Sequence, residues 1–416
     1  MGTGRLMRVL HVTHQYAPAI GGAERYITGL SEELARRGHQ VEVYTSRATD
    51  YHTWANVLPP EETRNGVRVR RFAAWPRRGH TWAALKLGLR HYWPGRAAAL
   101  AALIYYGNGP ICPGLFGAVL RAAPRFDLVH INQLHYSHAA TAYAAARRAG
   151  LPIVTTPHLH AEQPATYDVD YMLAILRGSQ VLFADTVGER DFLVSRGFPP
   201  VAVTTAGHGL NLDAFPPQDR AASRARFGLP ADAFVVLFLG RKIDYKGLEP
   251  SLRAFLHLRQ SCPHAYFLAV GPETTDSQRL WLTYGQQPGV VVRGAVSEEE
   301  RLAALAACDV LALPSTGEAF GIVYLEAWAY AKPVIGAPIT AVAALIADGE
   351  DGFLVAPTQV QRLADRLAWL VAHPDRARQM GAAGQAKLQR RYTTRQIADI
   401  VEGGYTRALR RRRTRL

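Results

Sequence analysis

Short apolar runs rich in β-branched residues recur along this chain, each followed by a longer stretch of helical spacing. RVLHVT (8–13), VEVYTS (41–46), FDLVHIN (126–132), PIVTTPH (152–158), VLFAD (181–185) and VAVTT (201–205) make a first series. FVVLFLG (234–240), AYFLAVG (265–271), GVVVRG (289–294), VLALPS (310–315) and PVIG (333–336) make a second. Apolar runs of this length suit strands covered on both faces, and strands alternating with helices give a parallel, doubly wound sheet. At 416 residues the chain is too long for one ordinary core, so the two series read as two α/β halves. NLDAFPPQDR (211–220), with its Pro-Pro pair and few apolar residues, is the best linker between them.

In such sheets ligands sit outside the carboxyl ends of the strands. The polar residues that follow each apolar run are therefore the candidate site. PSTGEAFGIVYLEAWAYAKPVIG (314–336) follows the strand VLALPS and carries Glu318 and Glu326, with seven residues between them. Glu326 lies in an apolar helical run, where a carboxylate is costly unless something hydrogen-bonds it. A polyhydroxylated ligand is one such partner. GRKIDYKG (240–247) brings Arg241 and Lys246 to one loop ahead of a helix. Two cations and helix amides suit a diphosphate, although basic pairs in loops are usually solvated. HQYAPAIGGAERYITGL (14–30) puts Gly21 and Gly22 where the chain enters a helix. There the bare backbone lets a bulky ligand approach, or simply makes a structural turn. The spacing is neither a dinucleotide fingerprint nor a P-loop. TTPHLHAEQP (155–164) sets His158 at a strand end with His160 beside it. Asp168 and Asp170 of YDVDY read as surface residues, and no other carboxylate cluster suggests a metal. G-x-S-x-G is absent, and no nucleophile triad is evident.

Charge is uneven along the chain, whose net value is +14. Residues 63–126 contain eleven Arg or Lys and no Asp or Glu, interleaved with Trp75, Trp82, Trp93, Tyr92, Tyr105 and Tyr106. RALRRRRTRL (407–416) adds six arginines. Basic residues mixed with aromatics suit an anionic surface, a lipid headgroup layer ahead of nucleic acid. A solvated basic face with a disordered tail is the bland reading of the same residues. Residues 96–120 are apolar but broken by GNGPICPG (107–114), so they read as two short helices lying on a membrane rather than one crossing it. The three cysteines, Cys112, Cys262 and Cys308, lack metal-type spacing and point to a reducing compartment. The N-terminal apolar run is short for a signal peptide and reads as a first strand.

Taken together the motifs resemble those of retaining glycosyltransferases of the GT-B fold, glycosyltransferase family 4. The resemblance rests on GGAERYITGLSEELARRGHQVEVYTS, TTPH, GRKIDYKG, VVRGAVSEEE and above all ALPSTGEAFGIVYLEAWAYAKPVIG, and covers all but the basic insert and the arginine tail. It implies two Rossmann-like domains facing a central cleft: an acceptor domain over 1–208 with the insert at 63–126, and a donor domain over 209–390. Residues 391–416 would form a helix and tail packing back on the first domain. The resemblance implies that Arg241 and Lys246 hold the donor diphosphate and that Glu318 sits by the transferred sugar. Glu326 would take the ribose hydroxyls, and the backbone of Phe320, Gly321 and Ile322 would reach sugar and phosphate. Arg293, Gly294, Ala295 and Val296 would receive the base. Gly21 and Gly22 would abut the diphosphate, and His158 would contact the sugar near the acceptor.

The implied donor is a nucleotide sugar, UDP- or GDP-linked, with no metal and no further cofactor. The implied acceptor is a glycan, lipid-linked or glycolipid molecule, and the expected place is cytoplasmic, at the inner membrane face. Nucleic acid is the less expected partner. One departure stands out. After PVIG the family often has two glycines and Pro-Glu, whereas this chain reads APITAVAALIADGEDGFLV (337–355), with Ala344 near the usual glutamate. A nucleotide-sugar 2-epimerase of the same architecture and a non-catalytic basic binding protein are the alternative readings.

Overall fold

The structure is a computed structural model that describes residues 5–19, 21–92, 98–160 and 166–413. Trp93 and Arg96 of the basic block, residues 161–164 and tail residues 414–416 lie outside them. The chain divides into two compact units, Met1–Gly209 with Thr394–Leu416, and Leu210–Thr393.

The first unit is built on a sheet of β1 (Arg8–Val12), β2 (Gln40–Ser46), β3 (Glu61–Arg64), β4 (Val67–Phe72), β5 (Leu128–Asn132), β6 (Ile153–Thr156), β7 (Val181–Ala184) and β8 (Val203–Thr205). Their order is β3-β4-β2-β1-β5-β6-β7-β8. All neighbours pair in parallel except β3 with β4. That hairpin lies where the sequence reading saw only a basic insert. Its turn is Asn65-Gly66, both at positive φ (47° and 80°), the mirror-image turn that matches strand twist. Along β4, Val67 and Val69 point inward while Arg68 is exposed, so the period is two. Hairpin pairing thus hides a strand inside what reads as a charge run.

The insert is also less basic than its sequence. Arg64 pairs with Glu32, Arg68 and Arg70 with Glu61, Arg71 with Glu62 and Arg125 with Glu42, all carboxylates from outside the acid-free stretch. Of the two apolar helices expected on a membrane, Pro113–Ala122 turns inward and buries Leu115, Ala118, Val119 and Ala122 in the core. Helix Ala98–Asn108 packs on helix Gly79–His91. It is Gly79–His91 that leaves Leu87 and Leu89 exposed. The last helix, Thr394–Arg413, lays Ile397, Ala398, Val401, Tyr405 and Ala408 against Val9, Ile27 and Phe183 of the first unit.

The second unit is a parallel sheet of β9 (Phe234–Leu239), β10 (Ala265–Val270), β11 (Val290–Arg293), β12 (Val310–Leu313), β13 (Val334–Gly336) and β14 (Gly352–Leu354). Their order is β11-β10-β9-β12-β13-β14. The reversal of strand order at β9 and β12 is the switch point where such sheets open a crevice. β14, three residues of the GEDGFLV segment, is too short to stand out in the sequence.

Candidate active site

In the second unit the expected donor residues lie beyond the carboxyl ends of β9, β11 and β12. Residues 240–247 form the loop after β9. Gly247 closes it at φ 75° and opens helix Leu248–Ser261; a Cβ there would lie 2.6 Å from the Pro314 carbonyl oxygen. Only glycine lets the two loops approach so closely. The Tyr245 carbonyl then accepts from the Thr316 amide (2.7 Å) and the Ser315 hydroxyl (3.1 Å). This clamp brings Lys246 Nζ to 2.6 Å from Glu318 Oε1, across 72 residues of sequence. Glu318 is buried, and its neighbour Tyr324, whose hydroxyl donates to the Leu313 carbonyl, has its pKa pushed well up by burial and by the Glu318 charge. Arg241 sits half-buried at the start of the same loop.

Gly321 (φ 93°) caps helix Ile322–Ala329, so the amides of Ile322 and its successors open toward the loop. Phe320 is buried just before it. Glu326, in the second turn, is buried as expected, and its partner is a protein cation. Arg301 Nη1 donates to Glu326 Oε2 at 2.7 Å, while its Nε and Nη2 fork onto Glu298. Burial pulls the Arg301 pKa down, but Glu326 and Glu298 outweigh it and hold it raised. Nothing in EEERLAALAA marks Arg301 in advance, because its partner lies 25 residues away on another helix.

Arg293 ends β11, and Gly294 and Ala295 follow it into solvent with Val296 half-buried. Lys242, beside Arg241, is buried and donates from Nζ to the Arg293 carbonyl (2.6 Å) and to Glu273. Burial lowers its pKa against the pull of Glu273. The segment expected to receive the base is thus tied to the cationic loop by Lys242.

The first unit holds the remaining candidates. Gly21 precedes helix Gly22–Arg36, and a Cβ on it would fall 2.0 Å from Glu24 Oε2. The glycine therefore makes room for a buried carboxylate of its own helix. Glu24 pairs with His14 at 2.8 Å, which holds its pKa low against burial, and His14 stacks on Tyr136. His158 stands at the end of β6 at φ 54°, a conformation strained for a non-glycine residue. Its Nδ1 faces Asp185 Oδ2 at 2.7 Å and its Nε2 faces Asn132 Oδ1 at 2.8 Å. Asp185 Oδ1 also meets His208 Nε2 at 3.1 Å. The two histidines hold the Asp185 pKa down despite burial. Glu189, which takes the Asp185 and Leu159 amides, is pushed up by burial and by Asp185.

Ligand atoms of His158, Asp185 and His208 lie within 4.8 Å of one another, close enough to hold a metal ion. The 2.7 Å separation is a hydrogen bond, shorter than the roughly 3.4 Å between two ligands each about 2.1 Å from one tetrahedral ion. In this arrangement Asp185 orients both imidazoles. Asp185 was readable as an acid closing an apolar strand; His208 and Asn132 carried no signal of their own. Asp168 pairs with Arg196 on the surface, as read.

One parallel sheet carries a cation–carboxylate loop beyond its strand ends and the other an oriented histidine, residue types that a sugar-transferring enzyme of the GT-B fold would use there. The chain belongs to the glycosyl transferases group 1 family, which residues 219–387 match, while residues 21–209 match the glycosyl transferase 4-like domain. It is 30% identical to the D-inositol 3-phosphate glycosyltransferase of Streptomyces scabiei, over 92% of this chain and 89% of that one. The enzyme of that name from a Nocardioides species is 30% identical over 91% and 84%. Among solved structures, Anabaena HepE with UDP and glucose superposes with a TM-score of 0.74 at 20% identity, covering 96% of this chain and 99% of HepE. Sucrose-phosphate synthase from Thermosynechococcus elongatus gives 0.75 at 22% identity, covering 96% and 98%. The protein is thus a glycosyltransferase of a retaining family that uses nucleotide-sugar donors.

Proposed function

We propose that this enzyme moves a hexosyl group, with retention and without a metal, from a UDP- or GDP-sugar. The acceptor is a glycan, lipid-linked or glycolipid molecule in cell-surface polysaccharide or glycoconjugate synthesis. The observation that carries the donor half is the Lys246–Glu318 pair held at 2.6 Å by two clamped loops. Diphosphate departure develops negative charge, and preorganised cations and helix amides lower its barrier. Arg241 and Lys246 take that role, with the amides after Gly321. Glu318 positions the sugar, and Glu326 takes the ribose hydroxyls. The backbone of Arg293–Val296 receives the base. In the first unit Gly22 and the helix it opens favour an anion. His158, aimed by Asp185 and Asn132, contacts the sugar near the acceptor. The acceptor attacks from the face the diphosphate leaves, and the departing phosphate takes its proton. HepE, which has been crystallised with UDP-glucose, favours UDP over GDP by likeness.

The test is incubation with UDP-, GDP- and ADP-sugars. Slow nucleotide-diphosphate release is expected with one of them, and Lys246→Ala should reduce it by about 10²–10³-fold, the usual loss when a charge-stabilising donor is removed. An altered sugar without diphosphate release would indicate the epimerase instead. The membrane side of the proposal rests on helix Gly79–His91, where exposed Lys86 and Arg90 flank exposed Leu87 and Leu89. Leucines among cations are what an anionic lipid surface accepts.

A further inference from the structure

The Arg301 guanidinium ties the first turn of helix Glu298–Ala307 to Glu326. That helix begins directly after the 293–296 segment and is capped by a reciprocal Ser297–Glu300 box. Its start is therefore rigid, and Glu298 in its first turn grips Arg301 through two hydrogen bonds. Arg301 is itself buried and lies over the Phe215 ring, 5.5 Å from its centroid. A planar fork held on one carboxylate has a fixed direction for its remaining N–H. Here that N–H is spent on Glu326 Oε2.

A carboxylate buried in an apolar helix has two escapes from the cost of its charge. It can take up a proton, or it can rotate toward solvent. Either change removes the acceptor that a vicinal diol needs. A protonated acid offers one acceptor fewer, and a rotated one is misplaced.

We propose that Arg301 is a positioning residue for donor selection. It holds the Glu326 carboxylate aimed at the ribose diol, and it sets Glu326 in register with the segment that receives the base. This deepens the donor-site reading above and rests on it. The consequence is selectivity: the enzyme prefers a ribonucleotide to its 2′-deoxy counterpart through Glu326, and Arg301 maintains that preference.

The experiment measures dissociation constants for UDP and 2′-deoxy-UDP, and for GDP and 2′-deoxy-GDP, with steady-state kinetics on the matching sugar donor. Wild-type protein should prefer the ribo form by about tenfold, one charged hydrogen bond's worth of discrimination. Glu326→Gln should erase most of that preference. Arg301→Met should shrink it to about threefold or less, raising KM for the donor while kcat at saturation changes little. Arg301→Lys, which keeps the charge but not the fork, should fall between. Because Arg301→Met removes a buried ion and can unfold the protein, Glu298→Gln on the exposed side of the relay is the second probe. It should weaken the preference with the melting temperature nearly unchanged.

Preference lost in Glu326→Gln but intact in folded Arg301→Met and in Glu298→Gln would overturn the role of Arg301 and leave the donor site standing. Preference intact in Glu326→Gln would overturn the ribose role itself. Failure of both diphosphates to bind wild-type protein would overturn the donor-site reading and this inference with it.

Discussion

At the scale of single residues, buried carboxylates organise the candidate residues within each unit, and four of them have specific partners. Glu318 has Lys246, Glu326 has Arg301, Glu24 has His14, and Asp185 has two histidines. Removing one member of such a pair leaves the other charged and buried, which costs about 3–5 kcal/mol where burial is complete. The first unit also buries histidines. Burial lowers the pKa of His11 and His138 to about 3 and of His135 to about 4, and that of His130 well below its ordinary value. The unfolded chain protonates them near pH 6.5, so between 6.5 and about 4 the unfolded state binds more protons. Stability should then fall with falling pH by up to about 1.4 kcal/mol per histidine per pH unit. Glu189, whose pKa is raised, works in the opposite sense but is one group against several. Asp185, held low, begins to lose its contribution only below about pH 4. A melting temperature that stays level from pH 7 to pH 5 would show that these histidines are not buried in the neutral form.

At the scale of elements, the last helix does more than cover the first sheet. Ser31 donates to the Ile27 carbonyl, so the His11 Nδ1–H must donate to Ser31, and His11 Nε2 accepts from Tyr405. Tyr405 in turn accepts from His130 Nδ1, and His130 Nε2 accepts from Thr156. Every proton in this chain has one available position. Tyr405→Phe deletes the hydroxyl that serves both rings and strands two buried nitrogens. That should cost about 1–3 kcal/mol. For a unit of this size the first unfolding transition should come earlier by several degrees, at roughly 2–4 °C per kcal/mol. An unchanged thermogram would mean that the hydroxyl is dispensable. The strand-and-helix alternation and the polar strand ends were legible because each is a local pattern. The β3–β4 hairpin is marked in the sequence only by Asn65-Gly66, because arginines on the exposed face of β4 mask its two-residue period. β14 was not legible at all, since three residues carry no period.

At the scale of the whole molecule, the eleven cations of residues 63–126 overstate the free basic surface of that stretch. Arg64, Arg68, Arg70, Arg71 and Arg125 are matched by carboxylates. Arg78, Lys86, Arg90 and Arg121 form no ion pair among the described residues, and no described helix is long and apolar enough to cross a membrane. The lipid contact proposed above is therefore tested on helix Gly79–His91, which carries Lys86 and Arg90 beside exposed Leu87 and Leu89. Flotation with anionic vesicles should show binding that weakens with salt and is reduced when Leu87 and Leu89 are both changed to Ser. Equal binding to neutral vesicles would sink the electrostatic part. The sequence by itself determined the parallel α/β architecture, the strand ends that hold polar residues, and the need of Glu326 for a partner. Those are consequences of periodicity and of the cost of burying charge, both visible within a few residues. Only the tertiary structure decided what the partners are. Arg301, Asp185, His208 and Tyr405 meet theirs across 23 to 394 residues, and such contacts exist only after the sheets have set which strand ends and helix faces are neighbours.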